Sequence, residues 1–250
     1  MKIPQSETLW NVTHPLTRWW LALLPATLFG QIEDVNAHLW LMYFGDHPVK
    51  QTKFGVHLES QARRTNLGGQ WQQFMVRPGL NYQLSQRWTT TVGYLFSDNW
   101  PYGDFPDASG FLEHRLYEQL WGKYKHGPIP VQHRMRLEQR FVEKTDTPER
   151  EWEYRNRFRY MFRADIPFGE SPWYLGLYDE VFLNFGRNRG PHTLDQNRAY
   201  GALGFKLTGF EKIEVGYLHQ FIPQRNGIVV EHNHTIQIGF YSTRIFGSSD

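Results

Sequence analysis

The sequence predicts an all-β protein, a closed antiparallel up-and-down transmembrane β-barrel with a polar lumen lined by Arg and Glu. Three observations carry this expectation. Apolar and charged residues alternate with a period of two over most of the chain, which places them on opposite faces of strands. The mean hydropathy is −0.59, and no apolar run approaches the roughly 20 residues that a membrane-spanning helix needs. Short and long polar connections also alternate between the strand-like segments, as periplasmic turns and outer loops do in outer-membrane barrels.

Residues 131–163 give the pattern most clearly. In the first limb Val131, Met135, Leu137 and Phe141 share one parity, and Arg134, Arg136, Glu138 and Arg140 the other. A polar turn, Thr145-Asp146-Thr147-Pro148, leads to the second limb. There Trp152, Tyr154, Phe158, Tyr160 and Phe162 oppose Glu153, Arg155, Arg157, Arg159 and Arg163. A soluble sheet would bury the aromatic face and wet the charged one. The same rhythm runs through nearly the whole chain, however, and no helical periodicity supplies a layer to cover the apolar faces.

Composition narrows the functional classes. The chain has 250 residues, 40% hydrophobic and 16% aromatic, enough for one all-β domain. A formal net charge of +2 gives no overall field for a polyanion. There are no cysteines, which excludes disulfides, a thiol nucleophile and thiolate-held metal.

Taken in order, residues 1–33 read as a signal peptide or N-terminal leader. Arg18 precedes the apolar run Trp19-Trp20-Leu21-Ala22-Leu23-Leu24-Pro25-Ala26-Thr27-Leu28-Phe29, which Gly30 follows, as in a secretory signal. Cleavage is expected near residues 26–30, or after Ala37. Residues 34–250 read as the barrel. Segments 38–44, 53–63, 71–84, 87–97, 112–124, the two limbs above, 173–185, 195–207, 211–221 and 230–241 each resemble a strand. Pro78 suggests a bulge within 71–84. Residues 98–111, 143–150, 186–193 and 223–227 form the longer connections. Both termini on the periplasmic side would require an even strand number, so twelve strands are expected, with ten as the next choice. Trp71, Trp88, Tyr94, Phe96, Trp100, Tyr102, Trp152, Tyr154, Trp173 and Tyr174 lie near predicted strand ends, where interfacial girdles sit.

Several segments resemble a known family. They are Glu113-His114-Arg115, Arg136-Leu137-Glu138-Gln139-Arg140-Phe141, Tyr178-Asp179-Glu180-Val181-Phe182, Gln196-Asn197-Arg198 and Gly216-Tyr217-Leu218-His219-Gln220-Phe221. They are similar, in this order, to an uncharacterised domain-of-unknown-function family of Gram-negative bacterial proteins regarded as outer-membrane β-barrels. The resemblance implies the fold and the bacterial outer membrane, with outer-membrane lipids and the assembly machinery as partners. It implies no reaction and no catalytic residues.

The candidate site is a lumenal charge cluster: Arg134, Arg136, Glu138, Arg140, Arg155, Arg157, Arg159, Arg163, Glu180, Gln196 and Arg198. Arginines this close repel unless glutamates, water or anions lie between them, so ion pairs with Glu113, Glu138, Glu153 and Glu180 are expected. The expected role is structural or that of a narrow pore for anions or other small solutes. An outer-membrane lipid hydrolase or acyltransferase is the enzymatic alternative. It needs a nucleophile beside a histidine base on the outer face, and the candidates Ser97 and His219 share no motif. His219, His232 and His234 fall on one outward face and form the candidate metal triad. No cofactor is implied. Nucleic-acid binding is not expected, because the aromatics and arginines lie on opposite faces.

Overall fold

The structure, a computed structural model, describes residues 31–107 and 109–246. The leader expected over residues 1–33 lies outside them except for its last residues, which already belong to the sheet or its approach. Among these described residues eleven strands follow one another. They are β1 (Ile32–Pro48), β2 (Phe54–Thr65), β3 (Gln70–Gln83), β4 (Trp88–Asn99), β5 (Phe111–His126) and β6 (Ile129–Glu143), then β7 (Trp152–Pro167), β8 (Trp173–Phe185), β9 (Leu194–Lys206), β10 (Glu211–Pro223) and β11 (Val229–Ser242). A 3-10 turn, Asn66–Gly68, sits between β2 and β3. Each strand pairs with its sequence neighbour in antiparallel fashion, and β1 pairs with β11 to close the barrel. Every strand therefore has two partners and no edge is left with unpaired N–H and C=O groups.

The strand number corrects the expectation of twelve. The β1–β11 seam is parallel, running from Ile32↔Val229 to Gly45↔Ser242. A parallel seam is what an odd number of up-and-down strands requires. It also corrects the expected placement of the ends: β1 begins at the rim where the long connections gather, and β11 finishes at the opposite rim. Residues 66–69, 100–107 with 109–110, 144–151, 186–193 and 224–228 form the long-connection rim. Residues 49–53, 84–87, 127–128, 168–172 and 207–210 form the short-turn rim. The tightest of these turns places Gly127 at φ +58°, a left-handed conformation that glycine adopts without penalty.

Burial alternates residue by residue and is the reverse of that in a water-soluble protein. In β6, Arg134, Arg136 and Glu138 are buried while Leu137 and Phe141 are exposed. In β7, Arg157, Arg159 and Arg163 are buried while Trp152, Tyr154, Tyr160 and Phe162 are exposed. Ion pairs between strands that are not neighbours fix which face is inside. Glu59 on β2 faces Arg136 on β6, and Arg77 on β3 faces Glu138 on β6. Such contacts are possible only across the enclosed interior. In β5, Glu113, Arg115, Tyr117 and Gln119 are buried, while His114 packs outside against Tyr94, Phe96 and Trp152.

Two irregularities have consequences for the interior. No register shift occurs at Pro78, which pairs with Leu58. Its missing N–H falls on the β4 side, where the ladder lapses between Val76↔Phe96 and Gly79↔Gly93 without slipping. The β2–β3 bulge lies instead at Arg63/Arg64, and a second bulge lies in β8–β9 at Phe182/Leu183. Each inserts one extra residue, Gln72 and Asp195 respectively, and a bulged residue can be re-aimed to the other face. Tyr102 and Tyr174 also depart from the expected girdle: both turn inward, to Glu231 and Glu214.

Candidate functional site

The interior is divided into a belt of ion pairs and a cavity above it. Glu138, on β6, is the centre of the belt. Its carboxylate accepts hydrogen bonds from Arg157 Nε and Nη2 at 2.8 and 2.6 Å and from Arg159 Nη1 at 2.9 Å. Arg77 and Arg115 approach it at 3.9 and 3.8 Å. Glu180, on β8, binds Arg134 and Arg159 at 2.9 and 2.8 Å. Glu59 pairs closely with Arg77 and lies 3.8 Å from Arg136, which also donates to Gln119 Oε1. Tyr117 lies beneath the guanidiniums of Arg77 and Arg136, and Phe182 beneath those of Arg157, Arg159 and Arg198. Cations over aromatic faces gain some attraction where water is excluded.

Glycine makes room for one of these rings. A Cβ on Gly93 would lie 2.6 Å from the Tyr117 ring and 2.5 Å from the Pro78 carbonyl oxygen. Only a residue without a side chain lets Tyr117 lie flat on the β3–β4 wall. Nearer the short-turn rim, Glu214 binds Arg163 closely, with the hydroxyls of Tyr174 and Tyr200 donating to it at 2.6 and 3.3 Å. Trp40, Met42, Tyr200, Ala202 and Leu218 form an apolar cluster across β1, β9 and β10. Side chains thus crowd the interior at its waist and toward the short-turn rim.

Above the waist a cavity of about 970 Å³ reaches the long-connection rim. Its walls carry Arg63, Arg115, Arg140, Arg155, Arg157 and Arg198, and its rim carries Trp100, Tyr102, Phe105, Lys144, Asp146 and Arg225. Residues 102–105 of the β4–β5 connection fold into the mouth. Tyr102 donates to Glu231 Oε2 at 2.7 Å and sits edge-on to His38 at 5.2 Å. Burial and the Glu231 carboxylate push the Tyr102 phenol well above its usual range, so it remains a donor. Asp195, turned inward by the β8–β9 bulge, binds Arg157 at 2.6 Å. Gln72, turned inward by the β2–β3 bulge, accepts from Trp40 Nε1 at 2.8 Å.

The residues singled out in the sequence fall into two groups. Arg140, Arg155, Arg157, Arg159, Gln196 and Arg198 line the cavity. Arg134, Arg136, Glu138, Arg163 and Glu180 are buried in and below the waist. Arg140 pairs with Glu113 at 2.5 Å and Arg155 with Glu153. Glu59, Arg63, Arg77, Arg115, Asp195 and Glu214 were not singled out. All but Asp195 share the parity of the charged face, so alternation alone would have found them. Ser97 is fully buried on β4, whereas His219 lies on the outer face of β10, so the two do not meet.

His219, His232 and His234 do come together on that outer face. His219 Nε2 lies 3.2 Å from His232 Nδ1, and both other rings stand 5.4 Å from that of His219. The Tyr217 hydroxyl contacts His234 Nδ1 at 2.5 Å. Among the described residues no group of three or more His, Cys, Asp or Glu is arranged to hold a metal ion.

The model of a family described as "Protein of unknown function (DUF2490)" matches residues 37–231, which reaches from β1 into β11. The chain belongs to the DUF2490 family. No curated protein matches it. Among solved structures, the chain is similar to one titled "NanC porin structure in rhombohedral crystal form", at 14% identity and a TM-score of 0.46. That likeness covers 73% of this chain and 82% of the other.

Proposed function

We propose that this DUF2490 barrel resides in the bacterial outer membrane and serves as a narrow, low-conductance conduit preferring small anions. The membrane part rests on the outward belt of Leu41, Val56, Leu80, Val92, Leu116, Leu137, Leu177, Leu203, Val215 and Ile236, which water would not tolerate as a continuous surface. Strand length agrees with it. β8 has 13 residues; at roughly 3.3 Å per residue and a tilt of about 40°, such a strand rises about 33 Å, near the ~30 Å hydrocarbon thickness.

The observation that carries the functional part is the arginine-walled cavity open at the long-connection rim. A low-dielectric wall around fixed positive charge concentrates anions at the mouth and repels cations. The ion-paired waist beneath it keeps the conduit narrow. Planar-bilayer recordings on the purified chain test this. Small steps with a reversal potential favouring chloride over potassium are expected, and Arg140→Glu with Arg155→Glu is expected to move that potential toward cation preference. Silence at every voltage would leave a purely structural barrel.

A further inference from the structure

The interior arginines are not equivalent. Arg77, Arg115, Arg134, Arg136, Arg140, Arg157, Arg159 and Arg163 each have a carboxylate within 4.0 Å. Among the described residues, Arg63 and Arg198 have none, although they are only 8% and 7% exposed. Their hydrogen-bonded partners are neutral amides: Arg63 donates to Gln61 Oε1 at 2.8 and 2.6 Å, and Arg198 to Gln196 Oε1 at 3.0 Å. Both guanidiniums converge on one side chain, lying 3.9 and 5.2 Å from the centre of the Trp40 ring. Both line the cavity.

A buried guanidinium without a counter-charge is costly, and two beside each other repel. The neighbouring arginines demonstrate that this barrel readily places a carboxylate beside a cation, yet at Arg63 and Arg198 it supplies carboxamides. Gln220 adds a second observation. Its Nε2 donates to Gln196 Oε1 at 2.5 Å, which leaves its own buried Oε1, on the cavity wall, without a partner.

We infer that Arg63 and Arg198 form a binding site for an oxyanion, a carboxylate or phosphate carried by a small polar solute entering from the long-connection rim. Two guanidinium forks match the oxygens of such a group. The Gln220 carbonyl accepts a hydroxyl or N–H from the body of the solute. The Trp40 ring holds both cations in place from behind and is itself fully buried, so it offers no stacking face to the solute. The site rests on the anion-conduit reading and gives it a specific station above the waist.

Equilibrium binding tests the site separately from conduction. Full-length protein in detergent, at fixed ionic strength, is titrated calorimetrically with inorganic phosphate, with glucuronate, and with glucose as the uncharged control. Binding of phosphate, glucuronate or both, with none of glucose, is expected, and which anion binds identifies the source of the oxyanion. Arg63→Gln and Arg198→Gln are each expected to weaken that binding at least about tenfold, with Arg63→Lys intermediate. Arg64→Gln, on the outer face of β2, serves as the control for unchanged affinity. Thermal unfolding supplies a readout that a purely structural arginine would move the other way. Without anion, Arg63→Gln and Arg198→Gln are expected to raise the unfolding temperature, and phosphate or glucuronate to raise it in the wild type alone. No binding of either anion, or binding unchanged in both glutamine variants, overturns the site while leaving the conductance result to stand or fall by itself.

Discussion

Glu138 concentrates the chemistry of the interior at a single residue. Two arginines hydrogen-bond its carboxylate and two more stand within 4 Å, so removing its charge strands several buried guanidiniums at once. Glu138→Gln is expected to destabilise the folded barrel by about 3–5 kcal/mol, because an uncompensated buried charge is the expensive product of breaking such a network. Glu153, 22% exposed at the side chain and paired to Arg155 near the rim, makes the contrast: Glu153→Gln is expected to cost about 0–1 kcal/mol. Urea titrations of refolding into lipid vesicles measure both, and equal effects would contradict the division between waist and rim. Glu138 was legible in the sequence because its parity matches that of Arg134 and Arg136. Asp195 and Gln72 were not. Each is the extra residue of a bulge, and alternation gives the wrong face for a residue that interrupts it.

At the scale of elements, the connection over residues 100–110 matters most, because it partly closes the cavity. Tyr102 ties it to Glu231 on β11, the Asp104 N–H donates to Asp34 on β1 at 3.4 Å, and Gly103 adopts φ +77°. A Cβ at Gly103 would come within 2.6 Å of the Asp34 carboxylate, so the close approach depends on glycine. Tyr102→Ala is expected to release the connection. Endoproteinase Asp-N should then cut before Asp104 several-fold faster, and single-channel conductance should rise. Unchanged cleavage and conductance would mean that Tyr102 does not restrain this segment. The length and polarity of residues 98–111 marked a long connection, as the alternation of long and short connections requires. Its inward turn could not be read, since its anchors Asp34 and Glu231 are far away in sequence and meet it only after the barrel has closed. The eleven strands themselves were nearly all legible from the two-residue rhythm.

At the scale of the whole molecule, the sequence argument failed on strand number for a definite reason. The even count came from assuming that both ends lie at one rim, whereas the parallel β1–β11 seam accommodates an odd count. Nothing in local alternation distinguishes the two, because the seam joins strands from opposite ends of the chain. What alternation does determine is which face looks where, and the arginine-walled cavity, the ion-paired waist and the outward apolar belt all depend on that assignment. The chain contains no cysteine, so single cysteines can be introduced one at a time over residues 133–141 of β6 and spin-labelled in reconstituted vesicles. Collision with lipid-soluble oxygen should peak at the odd positions, Leu137 and Phe141 among them, and fall at Arg134, Arg136, Glu138 and Arg140. A flat profile, or one with the opposite phase, would contradict the inward arginines and everything built on them.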